Sequence, residues 1–365
     1  MKKMSKTRLI VSLIVVAMLY VGAWYAETQM GANNMLITVL KKGAVYALIA
    51  VSMNLLNGFT GLFSLGQAGF MLVGAYVYAV FTIPLKRHAA VYQYYNGGII
   101  QFELPLIVAL ILAGVVAAIL AALVGLPVLR LKSDYLAIAT LGFAEIIRAV
   151  VQWDSLGPIT NGSNLLKTYP TFSNTKILGT TVLFPFIVSG VCIGLILLII
   201  NSTYGRAFKA IRDDEVAAEA MGINLFHHKE LAFVISCFFA GIGGALLAMF
   251  QGTVQANSFK SAMTYDILLM VVIGGMGSVS GSVIASFLYI ACSEWWLRFL
   301  DNEMVIGTFQ VPFLRSGFRM VVFSIVIMIV VLFFRRGIMG DRELWDIGLA
   351  AKNRGANKPE RRAAK

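Results

Sequence analysis

Long runs without a charged residue recur along this chain and constrain its fold more than any other feature. They span Leu9–Ala26, Gly43–Leu85, Leu104–Leu129, Thr181–Ile200 and Leu231–Phe250. A helix needs about 20 apolar residues to cross the hydrocarbon core of a bilayer, and each run is long enough for one or two crossings. The chain is 59% hydrophobic and only 13% charged, about half the charged fraction of a typical soluble domain. The sequence therefore predicts an all-α integral membrane protein.

Two further runs decide the predicted topology. Tyr135–Val151 supplies one more crossing, and Ile267–Ser293 is interrupted by glycines between positions 274 and 281. If the latter run breaks at these glycines and returns, residues 294–315 lie outside and Arg319–Phe334 brings the chain back inside. That arrangement agrees with the positive-inside rule, because many basic residues follow the last run. We therefore expect about ten transmembrane segments, with both termini in the cytoplasm.

The expected boundaries follow from these runs. Residues 1–8 form a cytoplasmic N-terminus, residues 9–334 a transmembrane domain and residues 335–365 a basic cytoplasmic tail, with a cytoplasmic loop at residues 202–229. Part of the net charge of +12 lies in that tail. A basic tail that follows a membrane helix suits an anionic lipid surface better than it suits nucleic acid. We expect membrane lipid, and no nucleic acid, among the partners.

Two glycine-rich stretches, Gly58–Gly74 and Gly274–Gly281, interrupt the apolar runs, one in each half of the chain. Dense glycine allows close helix packing or a local break, and lipid does not tolerate exposed polar groups. We expect packing together with a break. Such paired breaks are typical of inverted repeats with a pathway near the middle of the membrane. The candidate pathway residues in the two stretches are Ser64, Gln67, Gly69, Gly274, Gly275 and Gly277.

Ionisable side chains also occur inside a predicted span. Glu145 and Arg148 lie three residues apart and therefore share one helix face. Charged groups at membrane depth are rare and normally face the bundle interior or a watery path. We prefer a mutually neutralising pair that fixes the orientation of the helix over direct contact with a ligand. Both residues, with Thr140 of the same span, are nevertheless candidate pathway residues.

The charged island Asn201–Glu230 separates two uncharged runs and therefore predicts a loop between two membrane helices. Ala207–Met221 contains good helix formers and no proline, Ser202 or Thr203 can cap its start, and Gly222 follows as a C-cap. Basic residues precede acidic residues in this single predicted helix, an order that opposes the helix dipole. We infer that a partner surface selects this order. A solvated amphipathic loop is the alternative.

The sequence contains no recognisable catalytic constellation. The phosphate-binding motif GxxxxGK[ST] is absent, which excludes ATP hydrolysis by that route. His88 and the adjacent His227 and His228 lie in predicted loops, and the three cysteines lie in apolar runs without metal-ligand spacing. We therefore expect no cofactor, no metal and no enzymatic activity. The chain is interpreted as a conduit whose energy comes from another subunit.

Four stretches in the same order along the chain carry a family resemblance: NGFTGLFSLGQAGFMLVGAYVYA, DYLAIATLGFAEIIRAVVQ, GRAFKAIRDDEVAAEAMGIN and YDILLMVVIGGMGSVSGSVI. They resemble the M-type permease subunit of the high-affinity branched-chain amino acid ABC importers. The resemblance implies that the third stretch is a coupling helix that docks in a cleft on an ATPase. It assigns the coupling role to Arg206, Arg212, Glu215, Ala217, Ala218 and Gly222.

The same resemblance implies a partner set and a function. The partners would be a second, H-type permease, two cytoplasmic ATP-binding subunits and an extracytoplasmic substrate-binding protein. The function would be that of the transmembrane permease subunit of an ATP-driven importer of leucine, isoleucine and valine in the cell membrane. The predicted outer loop Gln152–Thr180 would dock the binding protein, although its NGSNLL replaces a more glycine-rich family stretch.

Three alternative functions are also compatible with the sequence. A urea or short-chain amide ABC permease would look similar, although YLAIATLGFAEIIR favours amino acids. An ion-coupled secondary transporter would need no ATPase and would use Glu145 as its proton site. A membrane scaffold would leave the paired glycine breaks unexplained.

Overall fold

The computed structural model describes residues 20–29, 31, 34–95, 97–131, 133–297, 305–306, 309–310, 318–333, 337–340 and 343. The predicted N-terminus at residues 1–8, most of the first apolar run and nearly all of the predicted tail lie outside these residues.

The described part of the chain is predominantly helical. In its first half the helices are α1 (residues 20–29), α2 (Met35–Asn54), α3 (Gln67–Thr82), α4 (His88–Val91), α5 (Leu106–Val128), α6 (Ser133–Gln152) and α7 (Gly157–Thr160). In its second half they are α8 (Leu183–Asn201), α9 (Thr203–Asp213), α10 (Glu215–Ala220), α11 (Leu225–Gln251), α12 (Ser261–Gly274), α13 (Val279–Ala291) and α14 (Phe318–Phe333).

Shorter elements join these helices. Single π-helical turns cover Leu55–Phe59 and Cys292–Trp296, and 3-10 turns cover Leu85–Arg87, Asp154–Leu156 and Ala256–Ser258. Two antiparallel pairs of very short strands are present: β1 (Leu166–Lys167) with β2 (Thr253–Val254), and β3 (Val305–Ile306) with β4 (Phe309–Gln310).

Five of the described helices are long and apolar enough to cross a membrane, or six if α3 and the bent segment after it form one span. The five match predicted apolar runs, with α2 extended by its π turn to residue 59. This confirms an integral membrane protein built from helices. The count of about ten segments stays a prediction, because α3, α12, α13 and α14 are shorter.

Close contacts between glycines and helix backbones bring α3, α5 and α11 together in the core. A Cβ atom on Gly74 would overlap the carbonyl group of Gly241, and one on Gly244 would overlap that of Met71. Gly241 in turn faces Ala113 of α5, whose carbonyl oxygen would lie 2.8 Å from an added Cβ. Small residues of α11 therefore allow it to pack closely against both α3 and α5.

The segment after α6 folds over the end of the bundle at which α8 begins. Strand β1 pairs with β2 directly after α11, and the hydroxyl of Tyr169 donates to the carbonyl of Ala248 at 2.9 Å. Buried Glu27 of α1 accepts the backbone N–H groups of Thr181 and Val182 at 2.9 and 2.8 Å. A carboxylate in this position satisfies the free amide groups at the start of α8.

The chain breaks at both glycine-rich stretches. Residues 60–66, the first break, connect the π turn after α2 to α3, and residues 275–278, the second break, connect α12 to α13. Helices α12 and α13 return against each other, because an added Cβ on Gly274 would lie 2.6 Å from the backbone of Gly281. This agrees with the returning arrangement rather than with a single crossing.

Both breaks lie together at the end of the bundle next to α9. An inverted repeat relates opposite ends of a bundle, so the expectation that the two breaks are inverted counterparts is not confirmed. Gly69 and Gly74 lie inside the regular helix α3, where they serve close packing and mark no break.

Candidate functional site

The first break is held by side chains from its own turn and from α6. Asn57 exchanges hydrogen bonds with the backbone of Ser64 at 3.3 and 3.4 Å, and the Ser64 hydroxyl accepts from the Gly66 N–H at 3.4 Å. The Thr140 hydroxyl accepts from the Leu65 N–H at 3.0 Å. Ser64 and Thr140, both predicted from the sequence, are therefore brought together.

Gln67 begins α3 and is fully surrounded by protein. Its amide donates to the hydroxyl of Ser52 at 2.8 Å, while the neighbouring Ala68 N–H donates to the Thr264 hydroxyl at 3.2 Å. An added Cβ on Gly69 would lie 2.8 Å from the Cα of Ala144. The Gln67 side chain and the Ala68 N–H thus find partners on other helices, as buried polar groups require.

The second break owes its shape to two glycines in left-handed conformations. Gly275 has a φ of 112° and Gly277 a φ of 95°, a region that favours glycine. The Gly277 N–H donates to the side-chain oxygen of Asn54 at 2.9 Å. Gly274, the last residue of α12, is buried against α13 and makes no such turn.

A short segment after α14 lies on the second break. The backbone N–H of Ile338 donates to the carbonyl of Ile273 at 2.8 Å, and that of Met339 donates to Gly274 at 3.2 Å. The Glu343 carboxylate accepts from the N–H groups of Val279 and Ser280 at 2.8 and 3.0 Å. The start of the predicted tail is thereby fixed to the end of the bundle that carries α9.

Glu145 and Arg148 lie apart from the two breaks and bind each other. The Arg148 Nε donates to Glu145 Oε2 at 2.8 Å, and the hydroxyl of Ser261 donates to Glu145 Oε1. Arg148 also reaches the side chain of Asn257 at 3.4 Å. The pair joins α6 to the start of α12, which is the structural role preferred from the sequence. Its side chains remain 38% exposed for Glu145 and 25% exposed for Arg148.

The predicted coupling loop, residues 202–229 and called the coupling loop below, contains two helices before α11 rather than the single helix predicted. Helix α9 ends at Asp213, and Asp214 adopts an extended conformation with φ −160° and ψ 112°. Its carboxylate accepts from the N–H groups of Val216 and Ala217 at 2.9 and 3.1 Å and thereby caps α10. The prediction of a single helix over residues 207–221 is therefore wrong.

The division into two helices explains the order of charges. Arg212 lies in the last turn of α9, while Asp214 and Glu215 lie at the start of α10. These three charges therefore have the sign that their helix ends favour, which reduces the apparent conflict with the helix dipole, although Asp213 and Glu219 lie at the C-terminal ends of α9 and α10. Ser202 is the N-cap of α9, and Gly222 ends α10 with a φ of 84°, as the sequence predicts.

The coupling loop has a buried face and an exposed face. Phe208 and Ile211 of α9 and Ala218 of α10 are buried, whereas Val216 is 77% and Met221 84% exposed. Of the coupling residues named from the sequence, Arg206, Arg212, Glu215, Ala217 and Gly222 are exposed. Arg206 and Gly222 line an open surface groove of about 720 Å³ between α9 and the turn after α10.

Helix α9 also contacts the π turn that precedes the first break. The Arg212 guanidinium donates to the carbonyl of Gly58 at 3.1 Å, and the Lys209 ammonium lies 5.4 Å from the centre of the Phe59 ring. Two basic residues of the coupling loop therefore hold the π turn that precedes the break.

Sequence reasoning missed Asn54, Glu343 and a charged group between α2, α12 and α13. In that group Lys42 pairs with Glu294, and the Tyr289 hydroxyl donates to Asp266 at 2.8 Å. Asn54 left a signal, since it is an amide inside the uncharged run Gly43–Leu85. Among the described residues, no group of three or more His, Cys, Asp or Glu is placed to hold a metal ion.

The family described as "Branched-chain amino acid transport system / permease component" matches residues 35–333, which include both breaks and the coupling loop. This chain belongs to that family. No solved structure matches the chain significantly.

Several curated relatives of this permease family resemble the chain. The high-affinity branched-chain amino acid transport system permease protein LivM of Salmonella typhimurium is 34% identical over 72% of this chain and 63% of its own length. The probable LivM permease of Methanocaldococcus jannaschii is 26% identical over 67% of this chain and 76% of its own. The LivH permease of Salmonella typhimurium is 23% identical over 72% of this chain and 84% of its own length. The chain thus spans less than two thirds of the length of the Salmonella typhimurium LivM permease.

Proposed function

We propose that this chain is the transmembrane permease subunit of an ATP-driven importer of the branched-chain amino acids leucine, isoleucine and valine. Membership of the permease family and the similarity to the LivM and LivH permeases support this proposal. The observation that carries it is the coupling loop, which exposes Val216 and Met221 on one side and, through Arg212, contacts the π turn before the first break on the other. A loop of this form suits a protein partner that acts on the membrane helices.

The proposed importer function implies a set of partner proteins. A second permease of the LivH type completes the membrane part, two cytoplasmic ATP-binding subunits hydrolyse ATP, and an extracytoplasmic protein delivers the substrate. The exposed apolar side chains of α10 would enter a cleft on one ATP-binding subunit. The segment between α6 and α8, with Trp153 and Leu178 exposed, would receive the binding protein. This chain would contribute no hydrolytic residue.

The proposed pathway runs past the two breaks. Backbone groups freed from helical hydrogen bonding can bind the polar ends of an amino acid, while apolar helix faces accommodate its side chain. Ser64, Gln67, Gly275 and Gly277 lie at the breaks, and Thr140 holds the first one. Gly69 and Gly274 contribute close packing. Glu145 and Arg148 would act as a structural pair beside the pathway.

We further propose about ten membrane segments, in which α1, α3, α12, α13 and α14 complete the five long spans. Helices α1, α2, α3, α5 and α6 would form one half, and helices α8, α11, α12, α13 and α14 an inverted second half. Both termini would lie on the cytoplasmic side of the cell membrane. In this arrangement the two breaks are not counterparts, since both lie at the α9 end.

The three alternative functions receive less support. No relative named above carries a urea or amide transport name. An ion-coupled mechanism would need Glu145 as a proton site, but its carboxylate accepts from Arg148 and Ser261 and so has partners that favour the charged form. A scaffold role leaves the contact between the coupling loop and the first break unexplained.

The test is co-purification followed by transport. The tagged chain is purified from native membranes as the parent and as the exposed variants Val216→Glu and Met221→Glu. Leu178→Glu, at the other end of the bundle, is the matched surface control. We expect ATP-binding subunits with the parent and the control and their loss from both α10 variants. Leucine uptake in proteoliposomes should require ATP. A parent that purifies without an ATPase, or takes up urea rather than leucine, would contradict the proposal.

A further inference from the structure

Asn54, the last residue of α2, connects the two breaks. It is fully buried, and its side-chain nitrogen donates to the carbonyl of Ser278 and to the hydroxyl of Ser282, both at 2.8 Å. Its side-chain oxygen accepts from the Gly277 N–H at 2.9 Å. All three hydrogen bonds therefore reach the second break and the start of α13, more than 200 positions further along the chain.

Gly58, one turn after Asn54, lies so close to the second break that no side chain would fit between them. A Cβ atom placed there would overlap the Asn54 side-chain oxygen and would lie 2.5 Å from the Gly277 nitrogen. The residues between them form the π turn Leu55–Phe59. Such turns insert an extra residue into a helix and occur frequently at functional sites. Because the packing is this close, Gly58 cannot be displaced without moving the Asn54 amide or the second break.

The coupling loop acts on the same turn. Arg212 donates to the Gly58 carbonyl at 3.1 Å, and an added Cβ on Gly61 would lie 3.0 Å from Arg212. A continuous set of direct contacts therefore leads from α9 through Gly58 and Asn54 to Gly277 and α13. Helix α13 packs along α2, and the Ser286 hydroxyl of α13 donates to the Tyr46 carbonyl of α2 at 3.5 Å.

We propose that Asn54 is the positioning residue that transmits displacement of the coupling loop to the second break. Arg212 moves the π turn, and the Asn54 amide carries Gly277 and Ser278 with it, so that both breaks change conformation in one step. The inference rests on the proposed function, because it needs an ATPase that moves α9. A purely structural Asn54 would satisfy buried polar groups without linking ATP hydrolysis to transport.

The experiment compares uptake with hydrolysis in the intact importer. The complete complex, with its second permease, ATPases and binding protein, is reconstituted in proteoliposomes, and leucine uptake and ATP hydrolysis are measured together. Asn54→Leu removes all three bonds at similar volume. Ser282→Ala removes one acceptor and is the milder variant. Ser236→Ala is the matched control, since its buried hydroxyl donates to the Ser52 carbonyl of α2 at 2.7 Å and touches neither break.

The decisive quantity is leucine transported per ATP hydrolysed. We expect Asn54→Leu to retain hydrolysis and to lower this ratio by about tenfold, the order of coupling changes at such positions. Ser282→Ala should lower it by about two- to threefold, and Ser236→Ala should leave it unchanged. Arg212→Ala added to Asn54→Leu should cause little further loss, because both residues act in one series of contacts.

The inference is overturned if Asn54→Leu keeps the parental ratio, whether hydrolysis and uptake are both unchanged or both fall in equal proportion. If Asn54→Leu does not assemble, equal ratios for Ser282→Ala and Ser236→Ala overturn it instead. A parent complex that hydrolyses no ATP or transports no leucine contradicts the proposed function itself. The two failures are therefore distinguishable.

Discussion

Gly74 of α3 packs directly on the backbone carbonyl of Gly241 in α11, with no space for a side chain between the two helices. Both helices belong to the buried core, and interhelical contacts of small residues are the usual means by which membrane helices approach closely. The bundle therefore depends on a backbone contact at this point, which makes a specific prediction about stability.

Gly74→Ala should destabilise the protein by about 1–3 kcal/mol, because the added methyl group forces α3 away from α11. Gly142→Ala in α6 is the control, since an added Cβ there meets no atom within 4 Å. The control should be neutral or stabilising by up to about 1 kcal/mol, from helix propensity alone. Thermal unfolding of both variants in one detergent measures the difference. Equal unfolding temperatures would show that the α3–α11 contact tolerates separation.

Gly222 should be needed for its backbone conformation rather than for the absence of a side chain. Its φ is 84°, and an added Cβ would meet no atom within 4 Å in this chain. Gly222→Ala should cost about 1–2 kcal/mol locally, because an L-residue is strained in this region, whereas Gly222→Asn should cost less. The measurement is retention of the ATPase during salt washes. If Ala and Asn weaken retention equally, contact with the partner, rather than strain, explains the glycine.

How far the sequence predicts this structure depends on the range of the interaction. The long spans follow from apolar runs that cross a bilayer, and the cap positions Ser202 and Gly222 follow from local chemistry. The pairing of Glu145 with Arg148 follows from helical spacing. Each of these features is decided by residues that are close together in the sequence.

Features that the local sequence pattern does not reveal were missed or misread. Asp214 lies among good helix formers, and only its extended backbone shows that it caps a new helix. The two breaks lie side by side because Asn54 binds Gly277 and Ser278, a pairing that no local pattern reveals. Gly69 looks like part of a break in the sequence but serves packing against Ala144.

Glu215 and Lys229 form an ion pair between α10 and α11, with 2.7 Å between Lys229 Nζ and Glu215 Oε2. Glu215 is half-exposed, so the pair contributes less than about 1 kcal/mol to stability. Glu215→Lys should weaken assembly with the ATPase, because it places two like charges together and tilts α10. The charge exchange Glu215→Lys with Lys229→Glu should restore assembly. Failure of the double variant in a pull-down assay would show that Glu215 contacts the partner directly.

The Glu145–Arg148 pair should behave as a structural unit. Glu145→Ala leaves the Arg148 guanidinium without its carboxylate partner at the α6–α12 contact, and this should lower stability by about 1–3 kcal/mol. Removing both side chains should cost less than removing Glu145 alone. Glu145→Gln should preserve leucine uptake and its pH profile in proteoliposomes. A pH profile that shifts with Glu145→Gln would favour the ion-coupled alternative.

Glu343 should stabilise the start of α13 through charge. Its carboxylate accepts from the N–H groups of Val279 and Ser280 and from the Ser280 hydroxyl at 2.5 Å. A negative charge at a helix N-terminus stabilises it by about 0.3–2 kcal/mol, so Glu343→Gln should weaken this end of α13 by that order. Amide hydrogen exchange at residues 279–282 measures the effect locally. Glu219→Gln, an exposed carboxylate in α10, is the control and should leave this exchange unchanged. Protection that is equal in the two variants would mean that the backbone bonds of Ile338 and Met339 hold the segment without the carboxylate.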